Sequence, residues 1–122
     1  MNRKKSVILV TTLAILLGVT TVAYALVVGG NSSISTGYIT VSGTSTTTAD
    51  QTYDWIYVYN ELYRDGTLVN SSTANGNNLK SIKTTSSASN RPGEQTWQIF
   101  GDHAGKIGTT YKYASSYSSV NW

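Results

Sequence analysis

The sequence predicts an all-β protein: a single antiparallel β-sandwich, immunoglobulin-like or Greek-key in order, preceded by an N-terminal hydrophobic helix. Three observations support this fold class. The chain after residue 25 is rich in threonine, tyrosine and valine, which suit a pleated sheet, and poor in strong helix formers. Apolar and polar residues alternate with the period of two that is typical of half-buried strands. Turn residues recur at short intervals, as they do in sandwiches.

The first 25 residues predict a secretory signal peptide. Residues 3–5 are Arg-Lys-Lys, and residues 7–22 form an uncharged apolar run. Residues 23–25 (Ala-Tyr-Ala) then place small side chains three and one positions before a cleavage site. Cleavage there would release a mature protein that starts at Leu26, outside the cytoplasm.

The rival interpretation of this segment is a membrane anchor that is not cleaved. Apolar character continues to Val28, so residues 7–28 form a run of 22 residues. At about 1.5 Å per residue, a helix of that length spans a hydrocarbon core of about 30 Å. Four threonines within the run favour cleavage over a permanent span. Both interpretations place the domain on the outer side of the membrane, which is contacted only through this segment.

Composition excludes several classes of function. The formal net charge of +3 is carried by residues 3–5, because the other six basic residues are matched by six acidic ones. A neutral mature region lacks the basic face that replaces phosphate counterions, so no nucleic-acid partner is expected. The chain has no cysteine, which excludes disulfides, a thiolate nucleophile and a cysteine metal site.

The mature region predicts one domain with a short lead. Residues 26–36 form this lead, and from residue 29 onward it is polar and rich in glycine and serine, as in a linker. Residues 37–122 are long enough for one β-sandwich domain with a modest core. Residues 38–42 alternate apolar and polar side chains and predict the first strand, whereas residues 43–51 predict a loop or a polar edge strand.

The clearest predicted element is a β-hairpin within residues 52–72. The dipeptide Asp65-Gly66 favours the two-residue turn that requires positive φ angles. Apolar residues then face apolar residues across the hairpin, which supports the register. This register pairs Arg64 with Thr67, Tyr63 with Leu68 and Leu62 with Val69.

The remaining chain predicts short strands separated by turns and loops. Turns are expected at residues 75–78 (Asn-Gly-Asn-Asn) and 91–93 (Arg-Pro-Gly), and a loop at residues 101–108. Strands are expected over residues 79–85, 95–100 and 109–117. The predicted core consists of apolar residues on one face of these strands: Ile39, Val41, Ile56, Val58, Leu62, Val69, Ile82, Trp97 and Ile99.

An aromatic stripe on the strand before the hairpin turn is the candidate binding site. Tyr53, Trp55, Tyr57 and Tyr59 alternate with other residues and are predicted to share one face. Planar rings on a flat sheet stack on sugar rings, and tyrosine hydroxyls bond to ligand hydroxyls, which favours a glycan or cell-wall polymer. The alternative is that the rings fill the second core face of the sandwich or a subunit contact.

No catalytic residue, metal site or cofactor is predicted. Asp102 and His103 are the one acid–base neighbour pair, but consecutive side chains of an extended chain point apart. Two ligands without a visible third make a weak metal site. A glycosidase would need two carboxylates about 5–10 Å apart in a deep cleft, and a domain of this size rarely builds one.

Two sequence patterns resemble small secreted β proteins of Gram-positive bacteria. The first is W-I-x-V-x-x-x-L-Y-R-D-G-x-L-V, from Trp55 to Val69, and the second is W-x-I-F-G-D-H, from Trp97 to His103. The resemblance extends beyond these two patterns over most of the mature region. The resemblance implies a β fold and an extracellular location, and it implies no active residue.

The sequence as a whole predicts a non-catalytic domain, secreted or held on the outer face of the cell membrane, that acts through packing or interaction. Its expected partner is a second copy or a cell-envelope component, because free strand edges pair with other strands. The first alternative is a glycan or cell-wall binding module that uses the aromatic stripe. The second is a secreted antimicrobial protein, which the chain length allows.

Overall fold

The computed structural model describes residues 26–122, and the predicted signal peptide lies outside these residues. The described chain is all-β, with one antiparallel sheet curled into a half-barrel. In the sheet the order is β1-β2-β4-β5, and β3 pairs with the other edge of β2. The strands are β1 (Val28–Ser35), β2 (Thr40–Arg64), β3 (Thr67–Ser89), β4 (Thr96–Ile107) and β5 (Thr110–Asn121).

The 25-residue strand β2 organises the fold, because its two halves have different partners. Residues 42–49 pair with β1, residues 55–64 pair with β4, and β3 pairs along both halves. Between Thr48 and Tyr53, β2 advances five residues while β3 advances two, a bulge that bends the strand. The structure therefore has one bent sheet, and not the two separate sheets of the predicted sandwich.

The hairpin at Asp65-Gly66 is confirmed. Asp65 has a φ of 50° and Gly66 a φ of 82°, the left-handed pair that a tight hairpin turn requires. The first two predicted pairs of the register, which start at Arg64 and Tyr63, are correct. The third is wrong: Leu62 pairs with Asn70, because β3 carries one extra residue there.

Three segments predicted as linker, turn or loop lie in strands. Residues 26–36 contain β1, because the backbone of these mostly polar residues pairs with the first half of β2. The turn predicted at residues 75–78 is wrong, since β3 continues and only Asn78, at φ 57°, is left-handed. The loop predicted at residues 101–108 is also wrong: residues 101–107 belong to β4. A Cβ at Gly101 or Gly105 would lie within 3.0 Å of core side chains, so these glycines make room for the core.

The apolar core matches most of the predicted positions. Val41, Leu62, Trp97 and Ile99 are fully buried and form one cluster. Ile56 and Val58 are also fully buried, whereas Val69 and Ile82 are half-buried. Ile39 is wrong as a core residue, because it lies in the connection before β2 and is 81% exposed.

A second part of the core is polar, which the sequence did not predict. The fully or almost fully buried polar side chains include Ser45, Thr47, Asn60, Ser86 and His103. Asn60 joins the two halves of the sheet: its amide donates to the carbonyls of Gly43 and Thr84, both at 3.2 Å, and its Oδ1 accepts from Ser86. Such a layer is stable because its members have hydrogen-bond partners.

Candidate functional site

The candidate site is the outer sheet face built by the second half of β2 together with β4 and β5. No second sheet covers this face in the described residues, so its rings stand between the core and solvent. We call it the aromatic face. Its members are Trp55, Tyr57 and Tyr59 on β2, Ala104 and Lys106 on β4, and Tyr111 and Tyr113 on β5.

The aromatic face holds two pairs of nearly parallel rings. Trp55 and Tyr57 stack with ring centroids 5.5 Å apart and an interplanar angle of 19°. Tyr111 and Tyr113 stack with centroids 6.3 Å apart and an angle of 8°. Trp55 and Tyr57 are half-buried, whereas Tyr111 and Tyr113 are 48% and 53% exposed. The rings are therefore accessible to solvent, and stacking on a neighbouring ring fixes the orientation of each.

Strand pairing sets the spacing between the two ring pairs. Lys106 pairs with Trp55 on one side and with Tyr111 on the other. Ala104 pairs in the same way with Tyr57 and Tyr113, and it is itself only 5% exposed. Since neighbouring strands lie about 4.8 Å apart, the two ring pairs are separated by about 10 Å at the backbone. Ala104, a small residue, thus lies between the two pairs of stacked rings.

An open depression of about 450 Å³ marks one end of the aromatic face. Trp55 and Tyr111 contribute its aromatic lining, and Asp54, Asn77 and Lys106 contribute polar groups. The bulged strand β3 brings Asn77 into register beside Trp55. Aromatic surface with a few convergent polar groups is the usual composition of a ligand site.

Tyr53 does not belong to this face, which corrects the predicted stripe of four rings. It is fully buried inside the sheet, where a Cβ on Gly105 would lie 2.7 Å from its ring. The side-chain alternation breaks between Tyr53 and Trp55, at the end of the bend in β2, where β3 carries the left-handed Asn78. Burial, and then the neighbouring carboxylate of Asp50, raise the pKa of the Tyr53 hydroxyl to about 12.

Tyr59 lies on the aromatic face but its hydroxyl is already engaged. It donates to one carboxylate oxygen of Glu61 at 2.9 Å, and the hydroxyl of Tyr63 donates to the other at 3.1 Å. The ring of Tyr63 in turn meets Phe100 edge to face, with centroids 5.5 Å apart. This end of the face is therefore a packed network, whereas the end at Trp55 is open.

Asp102 and His103 point to opposite sides of β4, as the sequence argument predicted. His103 faces the core and is 2% exposed, while Asp102 faces outward and pairs with Tyr59 in the register. Burial lowers the pKa of His103 to about 4, so its imidazole is neutral at physiological pH. In residues 26–122 no three carboxylate or histidine side chains are placed to hold a metal ion.

His103 contacts Ser116, a pair that sequence reasoning did not find. Ser116 Oγ lies 2.7 Å from His103 Nε2, and Thr47 Oγ1 lies 2.7 Å from Nδ1. Because the Thr47 hydroxyl donates to the carbonyl of Tyr57 at 2.9 Å, it accepts from Nδ1–H, and Ser116 donates to Nε2. A nucleophile and a base are adjacent here, but both ring nitrogens are engaged and substrate has no access to the buried imidazole.

The residues of the site that the sequence did not predict lie on β3, β4 and β5, and Asn77 of β3 was assigned to a turn. Lys106 was assigned to a loop, and Ala104 carries no signal in the sequence. Tyr111 and Tyr113 lie two residues apart within the strand predicted over residues 109–117, but their position beside Trp55 and Tyr57 depends on the order of strands in the sheet, which alternation does not determine.

Comparisons of this chain with protein families, with curated protein sequences and with solved structures found no match. The resemblance to small secreted β proteins of Gram-positive bacteria therefore stays a prediction. The residues from 26 to 122 contain no helix that is long and apolar enough to cross a membrane.

Proposed function

We propose that this chain is a non-catalytic extracellular binding domain and that its aromatic face binds a glycan. The observation that supports this most directly is the pair of ring stacks left uncovered on the outer side of the sheet. The faces of sugar rings are apolar and their rims carry hydroxyls, which complements aromatic rings interspersed with amide and ammonium groups. Rings held in place by their neighbours also lose little conformational entropy on binding.

The test is retention of the purified mature domain on insoluble glycans, with chitin, cellulose and peptidoglycan as probes. Trp55→Ala and Tyr113→Ala each remove one ring from a different stack, and each is expected to lower affinity about tenfold or more. Tyr38→Ala is the matched control, because Tyr38 is 90% exposed and does not line the depression at the aromatic face. Circular dichroism melts must show that all three variants are folded. Equal retention of wild type and both site variants would reject the aromatic face as the binding site.

A second candidate function, self-association, is supported by the free edge of β3. Among residues 26–122 this 23-residue strand pairs with β2 alone, so its other edge has no strand partner, although side chains already bond to its carbonyls at Ser87 and Ser89. Such an edge is a template for another strand, here one from a second copy. Sedimentation velocity over a concentration series is expected to show a reversible dimer. A monomer at every concentration would remove this candidate and leave glycan binding untouched.

The export of the domain is part of the proposal. Residues 1–25 act as a signal peptide that is cut after Ala25, and an uncleaved anchor reaching about residue 28 is the alternative. Mass spectrometry of secreted protein is expected to find Leu26 as the first residue. Recovery of the full chain in the membrane fraction would favour the anchor.

A further inference from the structure

The depression at the end of the aromatic face contains four side chains in one straight cross-strand row. Asn77 on β3 pairs with Trp55 on β2, Trp55 pairs with Lys106 on β4, and Lys106 pairs with Tyr111 on β5. The row therefore alternates an amide, a ring, an ammonium and a ring, at intervals of about 4.8 Å. The one positive charge lies between two aromatic side chains.

Lys106 has an aromatic partner but no anionic one. Its Nζ lies 5.4 Å from the centroid of the Tyr111 ring, and no carboxylate of residues 26–122 forms an ion pair with it. The residue is half-buried, which is the usual state of a lysine whose methylene stem packs on its neighbours while its ammonium faces solvent. An ammonium held beside a ring without an ion-pair partner can form a charge-assisted hydrogen bond with an anionic ligand.

Asp54, the carboxylate that lines the same depression, bonds to the backbone and not to Lys106. Asp54 Oδ2 accepts a hydrogen bond of 2.7 Å from the backbone N–H of Gly108, in the turn between β4 and β5. Gly108 has a φ of 60°, and the carboxylate fixes this left-handed turn beside the depression. Asp54 therefore holds the wall of the depression, and Lys106 remains available to a ligand.

We infer that this depression binds an acidic glycan, with Trp55 stacking on a sugar ring and Lys106 pairing with a negative charge carried by that sugar or by its neighbour. The inference rests on the proposed glycan binding and names its ligand class. A ring on Trp55 places one rim toward Lys106 and the opposite rim toward Asn77, whose amide bonds to hydroxyls. The anion is either the carboxylate of a uronic acid or the phosphodiester of a glycerol-phosphate polymer, since each brings a single negative charge.

The test compares affinities of the mature domain for chitin, polygalacturonate and a glycerol-phosphate polymer. Wild type is expected to prefer one or both acidic polymers over chitin, and the preference should fall in high salt because the ion pair is screened. Lys106→Gln should lower the ratio of acidic to neutral affinity about tenfold. Lys83→Gln is the matched control, because it removes the same charge from β3 where that strand pairs with Thr46 in the first half of β2.

Each outcome decides a different question. A preference for polygalacturonate alone identifies a carboxylate ligand, and a preference for the glycerol-phosphate polymer alone identifies a phosphodiester. Binding to chitin and to the acidic polymers with equal affinity, unchanged in Lys106→Gln, would overturn the inference while the proposed glycan binding stands. No retention on any polymer would overturn both. An equal loss of selectivity in Lys83→Gln would attribute the effect to net charge and also overturn the inference.

Discussion

The two ends of the core differ in the interactions that stabilise them. At the end near the hairpin turn, Val41, Leu62, Trp97 and Ile99 form an apolar cluster that excludes water. Beneath the aromatic face, hydroxyls around His103 share the interior with the fully buried side chains of Ile56 and Val58. The apolar end depends on filled volume and tolerates apolar substitutions that conserve it, whereas the polar end is stable only while its buried donors have acceptors.

The polar end is also the end that supports the candidate site. The hydroxyl of Thr47 donates to the backbone carbonyl of Tyr57, so the buried network holds the strand that carries the outer rings. His103 directly precedes Ala104, the small residue between the two ring pairs. Hydrogen bonds have fixed directions, so they define the position of a backbone more narrowly than apolar contacts do. We interpret the polar layer as the part of the core that positions the aromatic face.

The largest expected effect comes from the apolar end. Trp97→Ala removes the largest fully buried side chain, and we expect it to lower the free energy of unfolding by about 3–5 kcal/mol through lost burial and the cavity left behind. Urea denaturation measures the change. Tyr38→Ala is the control for loss of an aromatic ring, and at 90% exposure it should cost no more than about 0.5 kcal/mol. A cost below about 1 kcal/mol for Trp97→Ala would show that this cluster does not dominate stability.

The next effect is a pH dependence of the free energy of unfolding, and it arises from His103 in the polar end of the core. Burial lowers the pKa of His103 from 6.5 to about 4. Above pH 6.5 the imidazole is neutral in both the folded and the unfolded chain, so its contribution to stability is constant. Between pH 6.5 and about 4 the unfolded chain binds a proton that the folded protein does not, so stability falls by up to about 3 kcal/mol.

The measurement is the difference in unfolding free energy between wild type and His103→Gln from pH 7.5 to pH 4. The variant cannot titrate at this position, so its stability should be less sensitive to pH over this range. If wild type and variant lose stability in parallel, His103 is not the group responsible. Glycan retention by wild type should stay constant down to about pH 4 and weaken only below it, where the folded imidazole takes up a proton and the network under Tyr57 is disrupted.

The sequence predicted the apolar end of the core better than the polar end, for a physical reason. Apolar residues at every second position, such as Val58 and Trp97, identify a buried face directly. Buried hydroxyls give no such signal, because the same residue types occur on both faces of β2. Thr47 is fully buried, whereas its neighbour Thr48 is exposed. The burial of His103 depends on which strands face each other across the half-barrel. That arrangement follows from the bend in β2, and no local sequence pattern predicts this bend.

The candidate site was predicted in part for the same reason. Trp55 and Tyr57 lie on one strand, and alternation alone places them on one face. Tyr53 has the same spacing, yet the bend before Trp55 turns it inward. Lys106 and Tyr111 reach the site only through the order β2-β4-β5, so they could not be joined to Trp55 before the topology was known.

Two glycines, one at each end of the core, sharpen the comparison between the two ends. A Cβ on Gly30 would lie 2.2–2.3 Å from three atoms of the His103 ring, which hydroxyls hold at both nitrogens. A Cβ on Gly43 would lie 2.6 Å from Ile99 Cδ1, 2.9 Å from Cγ1 and 3.2 Å from Cβ, in an apolar side chain that no hydrogen bond holds in place. We expect Gly30→Ala to cost about 3 kcal/mol and Gly43→Ala about 1 kcal/mol. Gly29→Ala is the control in urea denaturation, with its nearest atom 3.7 Å away and little expected change. Equal costs for Gly30→Ala and Gly43→Ala would show that the polar end yields as readily as the apolar end, and that hydrogen bonds do not fix the backbone beneath the aromatic face.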